Sequence, residues 1–330
     1  PNVCFTTDDG RTMVTRDGGK TWKACYSKKM GSAWTTTGLD VLTCYGAHVD
    51  PYDPKRVFIS YTDIGLMVSD DGGISWKSAT SKGVPKHWTN TTYWIEFDGK
   101  VKGRCWAVMT GIHDLPRPKM WRRTGIGRYN GGVCISEDSG RTWKPSTKGM
   151  PETACTHILM DPKSPVNARV LYVAGFGTGV WKSIDGGRSW ALKNKGIEGA
   201  EPFAWRIALD RNGCLYLVVA RRSDDGSCGN NLDGAVYRSC DRAETWEKLT
   251  LPRGVNGPND LAVDPKDPKK LYLGAWGRDV GKEAVNGGLF VSQNAGKTWK
   301  CVCSKDQHVY GITIDPKKPN VVYSLSLIHI

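Results

Sequence analysis

Short runs of apolar residues alternate with polar turns along the chain, and the runs recur in sets of three. The first run of a set ends in an aspartate, as in HILMD (157–161) and RIALD (206–210). A second run such as RVLYVAG (169–175) follows, and then a shorter third run such as GVWKS (179–183). β-Branched and aromatic residues dominate the runs and turn residues bound them, which predicts strands. No stretch keeps a 3.6-residue period, so helices are not predicted.

A polar octet that ends in tryptophan closes the third run and begins a fourth strand. One copy is SDDGGISW (69–76), and the pattern S-x-D-x-G-x-T-W occurs six times. Its aspartate can accept backbone N–H bonds across a turn, its glycine allows positive φ, and its tryptophan can bury against the hairpin. In the last two copies Asp241 keeps the acid without the glycine, and Asn294 replaces the acid. We interpret the octet as a structural clasp, with these turn aspartates: Asp17, Asp71, Asp138, Asp185 and Asp241.

The closing tryptophans recur every 47 to 67 residues, which predicts repeated four-stranded units such as propeller blades. The octets resemble the Asp-box (BNR) repeat of sialidase-like, xyloglucanase-like and sortilin-like β-propellers, over nearly the whole chain. The resemblance implies an all-β propeller of six to seven four-stranded blades, with seven expected and the terminal blade incomplete. It specifies function weakly, because one fold hosts many activities.

The repeats run from end to end without a linker, so we expect one propeller domain over residues 1–330, truncated at both ends. Five complete blades are expected, with a partial blade at each end. The second strands of the partial blades, 3–7 and 321–326, are expected to compete for one strand position. The tail 325–330 is interpreted as non-native, because it can be back-translated as a sequencing adapter.

Charge and cysteine content narrow the partner classes. The net charge of +13 suits acidic partners, but no dense basic tract or nucleic-acid motif is present, so nucleic acid is not expected. No C-x-x-C pair occurs, and we expect neither a metal nor a cofactor. No apolar stretch reaches transmembrane length, so membrane insertion is not expected. We expect a monomer. Most of the eleven cysteines lie inside strands and are interpreted as buried free thiols: Cys4, Cys44, Cys105, Cys134, Cys155 and Cys214.

Propeller geometry orders the search for a site. First strands line the central channel, and their starts share a face with the loops that join second and third strands, opposite the clasps. The residues four and five positions before each strand-ending aspartate should therefore ring the channel mouth. Candidate substrate-binding residues at these positions are Tyr45, Tyr93, Trp94, Trp205, Arg206, Asn259 and Tyr310, and candidate catalytic residues are His157 and Asp260.

Three long loops, 110–132, 220–234 and 274–288, should surround this mouth, because long loops in compact folds are usually functional or disordered. Arginine binds carboxylate or sulfate through two parallel hydrogen bonds, and aromatic faces can stack on sugars. The alternative for any single arginine is an exposed loop charge. The loops add these candidate substrate-binding residues: His113, Arg122, Arg123, Arg222, Trp276 and Arg278.

Glycoside cleavage usually needs two carboxyl groups near the bond. Glu152 and Glu201 each lie nine residues before a strand-ending aspartate and are equivalent candidates. Asp63 lies in the tetrad TDIG (62–65), which resembles a segment of xyloglucanase-type inverting glycoside hydrolases in which this aspartate is catalytic. That family uses two propellers, whereas one is present here. The alternative for Asp63 is a turn-capping carboxylate.

Two other enzyme schemes stay open. A sialidase needs three arginines around a carboxylate, and Arg206, Arg222, Arg278 and Tyr310 can be drawn into such a scheme, but the F/Y-R-I-P motif is absent. In a lyase, a histidine such as His157 would act as the base.

The favoured hypothesis is a carbohydrate-active propeller, secreted or periplasmic. It would be a glycoside hydrolase or a lyase that acts on an anionic oligo- or polysaccharide at the channel mouth. The alternative is a non-catalytic propeller that binds a protein or peptide, as sortilin-like and photosystem-assembly propellers do.

Overall fold

The computed structural model describes residues 2–7, 12–37, 43–115, 129–199, 201–221, 234–255, 257–276, 279–280, 283–284, 287–303 and 308–327. The helical element within these ranges is one 3-10 turn, Lys86–Trp88, and the remaining regular structure is β. No helix in the described ranges has the length and apolar character needed to cross a membrane.

The strands form antiparallel sheets in chain order. A three-stranded sheet and a hairpin come first: β1 (Cys4–Thr7), β2 (Thr12–Thr15), β3 (Lys23–Ala24), β4 (Ser27–Met30) and β5 (Ala33–Thr36). Five four-stranded sheets follow, which we call blades 1 to 5. Blade 1 comprises β6 (Cys44–Asp50), β7 (Asp53–Tyr61), β8 (Leu66–Ser69) and β9 (Lys77–Ser78). Blade 2 comprises β10 (Thr91–Phe97), β11 (Cys105–Thr110), β12 (Gly131–Ser136) and β13 (Lys144–Pro145).

The remaining blades repeat this pattern. Blade 3 comprises β14 (Cys155–Met160), β15 (Leu171–Gly175), β16 (Gly179–Ser183) and β17 (Ala191–Leu192). Blade 4 comprises β18 (Phe203–Leu209), β19 (Leu215–Arg221), β20 (Ala235–Ser239) and β21 (Glu247–Leu249). Blade 5 comprises β22 (Pro258–Val263), β23 (Leu271–Ala275), β26 (Gly288–Ser292) and β27 (Lys300–Cys301). A hairpin of β24 (Asp279–Val280) and β25 (Glu283–Ala284) is inserted between β23 and β26. A final hairpin follows blade 5 and comprises β28 (His308–Ile314) and β29 (Val322–Leu327).

The first strands of successive blades contact one another in chain order, from β6 through β10, β14, β18 and β22 to β28. Four-stranded sheets arranged side by side around their first strands form a β-propeller, so the predicted fold is confirmed. The two end strands lie in different sheets, because β1 pairs with β2 and β29 pairs with β28.

The aspartate that ends each first strand makes the same local turn. Its Oδ1 accepts the N–H two residues later at 2.8 to 3.0 Å in all six copies, from Asp50 to Asp315. An aspartate side chain that bonds its own backbone two residues on mimics a backbone turn. The aspartate that ends each first apolar run therefore identifies, in the sequence, the turn from the first to the second strand.

The octet forms a second turn, which we call the Asp box. In the blade 1 box, Asp71 Oδ1 accepts the Ser75 N–H at 2.9 Å, and its Oδ2 accepts the Ser75 hydroxyl at 2.6 Å. The Ser69 hydroxyl donates to Asp71 at 2.7 Å and accepts the Gly73 N–H at 2.8 Å. The Ser69, Asp71 and Ser75 side chains therefore bond within the octet, so the box is a structural turn.

The altered boxes keep the same backbone. Each box holds two consecutive residues at positive φ, and in the blade 4 box these are Arg242 (63°) and Ala243 (66°) in place of glycines. In the blade 5 box Asn294 Oδ1 accepts the Thr298 N–H at 2.9 Å, and its amide donates to the Thr298 hydroxyl at 2.8 Å. The hydrogen bonds therefore hold the turn even where the sequence departs from the consensus.

The box tryptophan connects neighbouring blades. Trp143 of blade 2 donates its indole N–H to the Ala79 carbonyl of blade 1 at 3.0 Å. Trp190, Trp246 and Trp299 make the equivalent bond to the preceding blade at 2.7 to 2.9 Å. The rings in blades 2 to 4 are 2–5% exposed, as predicted, but Trp22 is 41% exposed, which contradicts the prediction for that copy.

The prediction of a buried free thiol is wrong for three of the six cysteines, Cys214, Cys4 and Cys44. Cys214 forms a disulfide bond with Cys240, because Leu215 pairs with Ser239 and places the two cysteines opposite each other. Cys105, Cys134 and Cys155 are buried free thiols as predicted, whereas Cys4 and Cys44 are free but exposed.

We predict that the Asp boxes make stability depend on acid pH. Hydrogen bonds from Thr21, Ser75 and Thr245 lower the pKa of Asp17, Asp71 and Asp241 from 3.8 to about 2. Because these pKa values fall on folding, the carboxylates stabilise the fold above pH 3.8, and this contribution is lost as the pH falls towards 2. If all three are replaced by asparagine, the melting temperature should fall less between pH 4 and pH 2 than it does in the wild type. An Asp71→Ala variant should melt lower at every pH, since alanine cannot accept these bonds. An unchanged pH profile in the asparagine variant would contradict the assignment.

We predict that Trp143→Phe destabilises the protein by about 1–3 kcal/mol, the usual cost of leaving a buried acceptor unsatisfied. Urea unfolding measures this change. The matched control is Trp22→Phe, whose indole has no hydrogen-bond partner in the described ranges and should unfold like wild type within about 0.5 kcal/mol. Equal destabilisation by both substitutions would show that the bond between blades is unimportant.

Candidate functional site

The strand register separates the two faces of the propeller. In blade 2, Thr91 at the start of β10 pairs with Thr110 at the end of β11, which pairs with Gly131 at the start of β12. At the other end Cys105 pairs with Ser136, the first residue of the Asp box. The starts of first strands therefore share a face with the second-to-third loops, and the Asp boxes lie on the opposite face.

A cavity of about 780 Å³ opens at the starts of the first strands. It draws residues from blades 1 to 5 and from the final hairpin. The predicted site residues that line it are Tyr45, Trp94, His157, Trp205, Arg206, Asn259, Asp260, Trp276 and Tyr310. The structure thus brings most of the predicted ring together, while the roles of these residues stay predictions.

A β-bulge at the same place in every first strand explains why adjacent residues both reach this region. The ladder in blade 4 passes from Ala204 to Arg206, so Trp205 is an extra residue. Five other strands skip the equivalent residue: Tyr45, Tyr93, Thr156, Asn259 and Tyr310. In a regular strand successive side chains point to opposite faces, and a bulge re-aims one of them. Trp205 and Arg206 can therefore both line the cavity.

Some bulge residues hold the blades together. The Thr156 hydroxyl donates to the Ala204 carbonyl at 2.9 Å, and the Asn259 amide donates to the Tyr310 carbonyl at 2.9 Å. Asn259 also donates to the Val309 carbonyl at 3.2 Å. Its amide group is therefore occupied by the next hairpin, which leaves its nitrogen little capacity for a ligand.

Arg206 lies at the centre of the polar wall. Its Nη1 donates to the Thr156 carbonyl at 3.0 Å, and its guanidinium carbon lies 4.4 Å from the Trp205 ring centre and 5.5 Å from that of Trp94. Burial lowers the pKa of Arg206, while the nearby Asp260 charge acts in the opposite direction. A cation over two indole faces is stabilised by the ring quadrupoles.

Two neutral histidines flank Trp94. The ring centres of His48 and His157 each lie 4.6 Å from that of Trp94. Burial, with the Arg206 charge adding to it, lowers the pKa of His48 to about 4 and that of His157 well below its ordinary value. Both rings are therefore uncharged at neutral pH, and His157 could act as a hydrogen-bond partner without adding charge.

Asp260 is the acid in the cavity wall. Its Oδ1 accepts the Leu261 N–H at 2.9 Å and its Oδ2 accepts the Ile312 N–H at 2.8 Å. Burial raises its pKa, although Arg206 and these two N–H groups oppose the rise. Asp260 therefore offsets the Arg206 charge and uses both oxygens within the fold.

Three polar atoms of the wall have no partner in the described part of the chain. They are His157 Nδ1, Trp205 Nε1 and Trp276 Nε1, all buried. Trp276 packs edge-on against Tyr310 with ring centres 4.9 Å apart. Indole N–H groups are donors only, so a ligand with oxygen acceptors would satisfy them.

Asp63 lies on the same face, outside the residues that line the cavity. It adopts a left-handed conformation with φ of 63°, and its Oδ1 lies 3.4 Å from both His113 Nδ1 and Asn90 Nδ2. Gly65 presses against blade 2, because a Cβ there would lie 2.6 Å from the Thr89 carbonyl oxygen. The TDIG turn thus holds a half-exposed carboxylate between two blades.

The other candidates are more dispersed. Tyr93 is fully buried beside Tyr45 and Trp205, with its hydroxyl donating to the Ile112 carbonyl at 3.2 Å. Glu152 is exposed and contacts His87 at 2.8 Å, and Glu201 does not line the cavity. Arg122, Arg123, Arg222 and Arg278 lie outside the described residues.

Sequence reasoning missed two titratable side chains beside Trp94, namely His48 and Glu96. Burial raises the pKa of Glu96 to about 7, and its Oε1 accepts the Met160 N–H at 3.4 Å. Each residue lies two positions beyond a predicted ring residue, Gly46 or Trp94, so strand alternation could have identified them. Within the described ranges, no group of three or more His, Cys, Asp and Glu side chains is arranged to hold a metal ion.

Comparison with known proteins supports the repeat and the fold. The BNR/Asp-box repeat family matches residues 67–78. Xyloglucanase Xgh74A of Acetivibrio thermocellus is 42% identical over 299 residues, which cover 79% of this chain and 33% of that protein. The crystal structure of the GH74 xyloglucanase from Xanthomonas campestris covers 98% of this chain and 49% of its own, with a TM-score of 0.60 and 17% identity.

A solved structure of YCF48 bound to D1 peptide also matches, with a TM-score of 0.54, 18% identity, and coverage of 96% of this chain and 83% of its own. At such identities the structural matches establish the fold alone. The chain spans about a third or less of the curated xyloglucanases that match most of its length.

We predict that Arg206→Met raises the pKa of His48 from its present value of about 4, because the nearby cation is removed. The pKa should stay below 6.5, because burial, the larger cause, remains. NMR titration of the histidine Cε1–H signals measures the change. Arg211→Met, at an exposed turn on the Asp-box face, is the control and should leave His48 unchanged. A His48 pKa that does not move in Arg206→Met would refute this account of the wall.

Proposed function

We propose that this chain, an Asp-box β-propeller, is the substrate-binding propeller of a xyloglucanase-type glycoside hydrolase. The main observation in support is that an aromatic cavity and the Asp63 carboxylate lie on the same face of the propeller. The 42% identity with xyloglucanase Xgh74A supports a glucan-based polysaccharide as the substrate class.

The cavity suits a neutral sugar chain. The cavity offers aromatic surface from Trp94, Trp205, Trp276 and Tyr310. The indole N–H groups of Trp205 and Trp276, which have no partner among the described residues, can donate to sugar oxygens. Arg206 has its charge offset by Asp260, so the wall does not present the isolated cation that would favour a polyanion. We therefore place a neutral glucan ahead of the anionic glycan expected from the net charge.

Asp63 is proposed as one of the two carboxyl groups that glycoside hydrolysis requires. His113 Nδ1 and Asn90 Nδ2 each lie 3.4 Å from the Asp63 Oδ1 atom. These two side chains can orient the half-exposed carboxylate. Asp260 is a weaker candidate, since two backbone N–H groups occupy its oxygens. The second carboxyl group is proposed to come from a second propeller, as the resemblance to two-propeller xyloglucanases implies.

We predict that Asp63→Asn in the full-length protein lowers the release of reducing ends from xyloglucan by at least about 100-fold, the scale of a lost general acid or base. Binding of xyloglucan oligosaccharides, measured by calorimetry, should change less than about threefold, because Asp63 lies outside the cavity. Asp53→Asn is the matched control, since Asp53 is an exposed turn residue on the Asp-box face and should leave both readouts unchanged.

A glycan panel decides the substrate class. Cleavage of polygalacturonate but not xyloglucan would restore the anionic hypothesis. Failure to bind any glycan would contradict the proposal.

A second candidate function is capture of an acidic peptide. It rests on Arg206 and on the Trp205 and Trp276 indole N–H groups, which together could hold a carboxylate. Peptide binding in the cavity without glycan binding would favour it.

A further inference from the structure

A second cavity, of about 280 Å³, lies between blades 1 and 2 on the Asp-box face. Its walls carry four cationic side chains, Arg56 and Lys77 from blade 1, Lys82 from the loop that follows it, and Arg141 from the blade 2 Asp box. It is separate from the candidate glycan site, which lies on the opposite face. We call it the basic groove.

Arg56 is the buried cation of the basic groove. Its side chain is 2% exposed, and its Nε donates to the Ser139 carbonyl of blade 2 at 2.8 Å. Asp70 pairs with the Arg56 Nη1 and also with Lys77 Nζ, at 2.7 Å for the lysine. Burial lowers the pKa of Arg56, Asp70 acts to raise it, and the Arg141 charge lowers it further. One carboxylate is therefore shared between two cations. Neither the Lys82 nor the Arg141 side chain has a carboxylate partner in the described ranges, although Arg141 Nη1 donates to the Asp138 carbonyl at 2.9 Å.

The repeat supplies an internal comparison. Arg141 and Glu244 occupy the same position in their Asp boxes, three residues after Asp138 and Asp241. In the groove between blades 3 and 4, Glu244 accepts from Lys182 Nζ at 2.8 Å and from Lys193 Nζ at 2.5 Å. The protein thus places its own carboxylate among cations in that groove.

The basic groove has arginine where Glu244 stands in the other groove, so its four cations share the single Asp70 carboxylate. Like charges held close together are unfavourable unless anions offset them, and here one carboxylate faces the buried Arg56 and three exposed cations. The guanidinium fork and the ammonium groups are the donors that bind oxyanions.

We propose that the basic groove binds a small tetrahedral oxyanion, a phosphate or sulfate group, held between blades 1 and 2 by Arg56, Lys77, Lys82 and Arg141. The bound oxyanion takes the place that the Glu244 carboxylate has in the equivalent groove. This inference does not depend on the proposed glycan activity.

Calorimetric titration of the full chain with inorganic phosphate and with sulfate, at ionic strength held constant with sodium chloride, tests the proposal. One saturable site is expected for the wild type. Lys82→Gln with Arg141→Gln should weaken binding at least tenfold. Lys82→Gln changes only the side chain, so the hydrogen bond from the backbone N–H of Trp143 to the backbone carbonyl of Lys82 is kept.

Arg141→Glu is the sharper variant, because it recreates the arrangement around Glu244. It should abolish phosphate binding while the melting temperature in the absence of phosphate is unchanged or higher. Lys195→Gln is the matched control, since Lys195 holds the position of Lys82 in the groove that already contains Glu244, and it should bind phosphate like wild type.

The proposal is overturned if phosphate and sulfate give no saturable binding at matched ionic strength. It is also overturned if a folded Arg141→Glu variant binds as tightly as wild type, or if Lys195→Gln weakens binding as much as the double variant. Xyloglucan binding, measured in parallel, reports on the opposite face, so loss of one activity is distinguishable from loss of the other.

Discussion

The indole N–H of the Asp-box tryptophan donates a hydrogen bond that joins one blade to the next. In blades 2 to 5 it reaches a backbone carbonyl just after the fourth strand of the preceding blade. The fourth strands are only two or three residues long, so they offer few ladder bonds of their own. The box turn therefore has two functions: it closes the hairpin, and it aims the tryptophan at the neighbouring sheet. This contact therefore fastens the outer edge of each of these blades to the blade before it.

The bulges near the channel mouth are the second constraint. An extra residue in each first strand disrupts the ladder locally, and its cost is offset by bonds such as those of Thr156 and Asn259 to the next strand. The same bulge turns Trp205 and Arg206 towards one cavity. A structural device that links strands thus also creates a surface dense in aromatic and polar groups, which is what a sugar site needs.

The repeats also show how one backbone carries different chemistry. Asp boxes with two glycines, with Arg242 and Ala243, or with Asn294 form equivalent turns, because the hydrogen bonds rather than the individual residues define them. Positions that the turn does not use are free to vary in charge. The exchange of arginine and glutamate between Arg141 and Glu244 changes the electrostatics of a groove without changing its fold.

The sequence by itself determined the features whose hydrogen bonds close within a few residues. These include the Asp-box turns, the turns after Asp50 and its equivalents, and the order of strands, all of which follow from local residue types. Counting back from the strand-ending aspartates also located the ring, although the bulge that makes two adjacent residues share it was not predicted. Only the tertiary structure decided which partner each polar side chain meets. It buried Tyr93, committed the Asn259 amide to the final hairpin, joined Cys214 to Cys240, and placed His113 beside Asp63. The reason is physical: these partners lie tens of residues away on neighbouring strands or blades, and strand pairing and blade packing, rather than local spacing, set their distances.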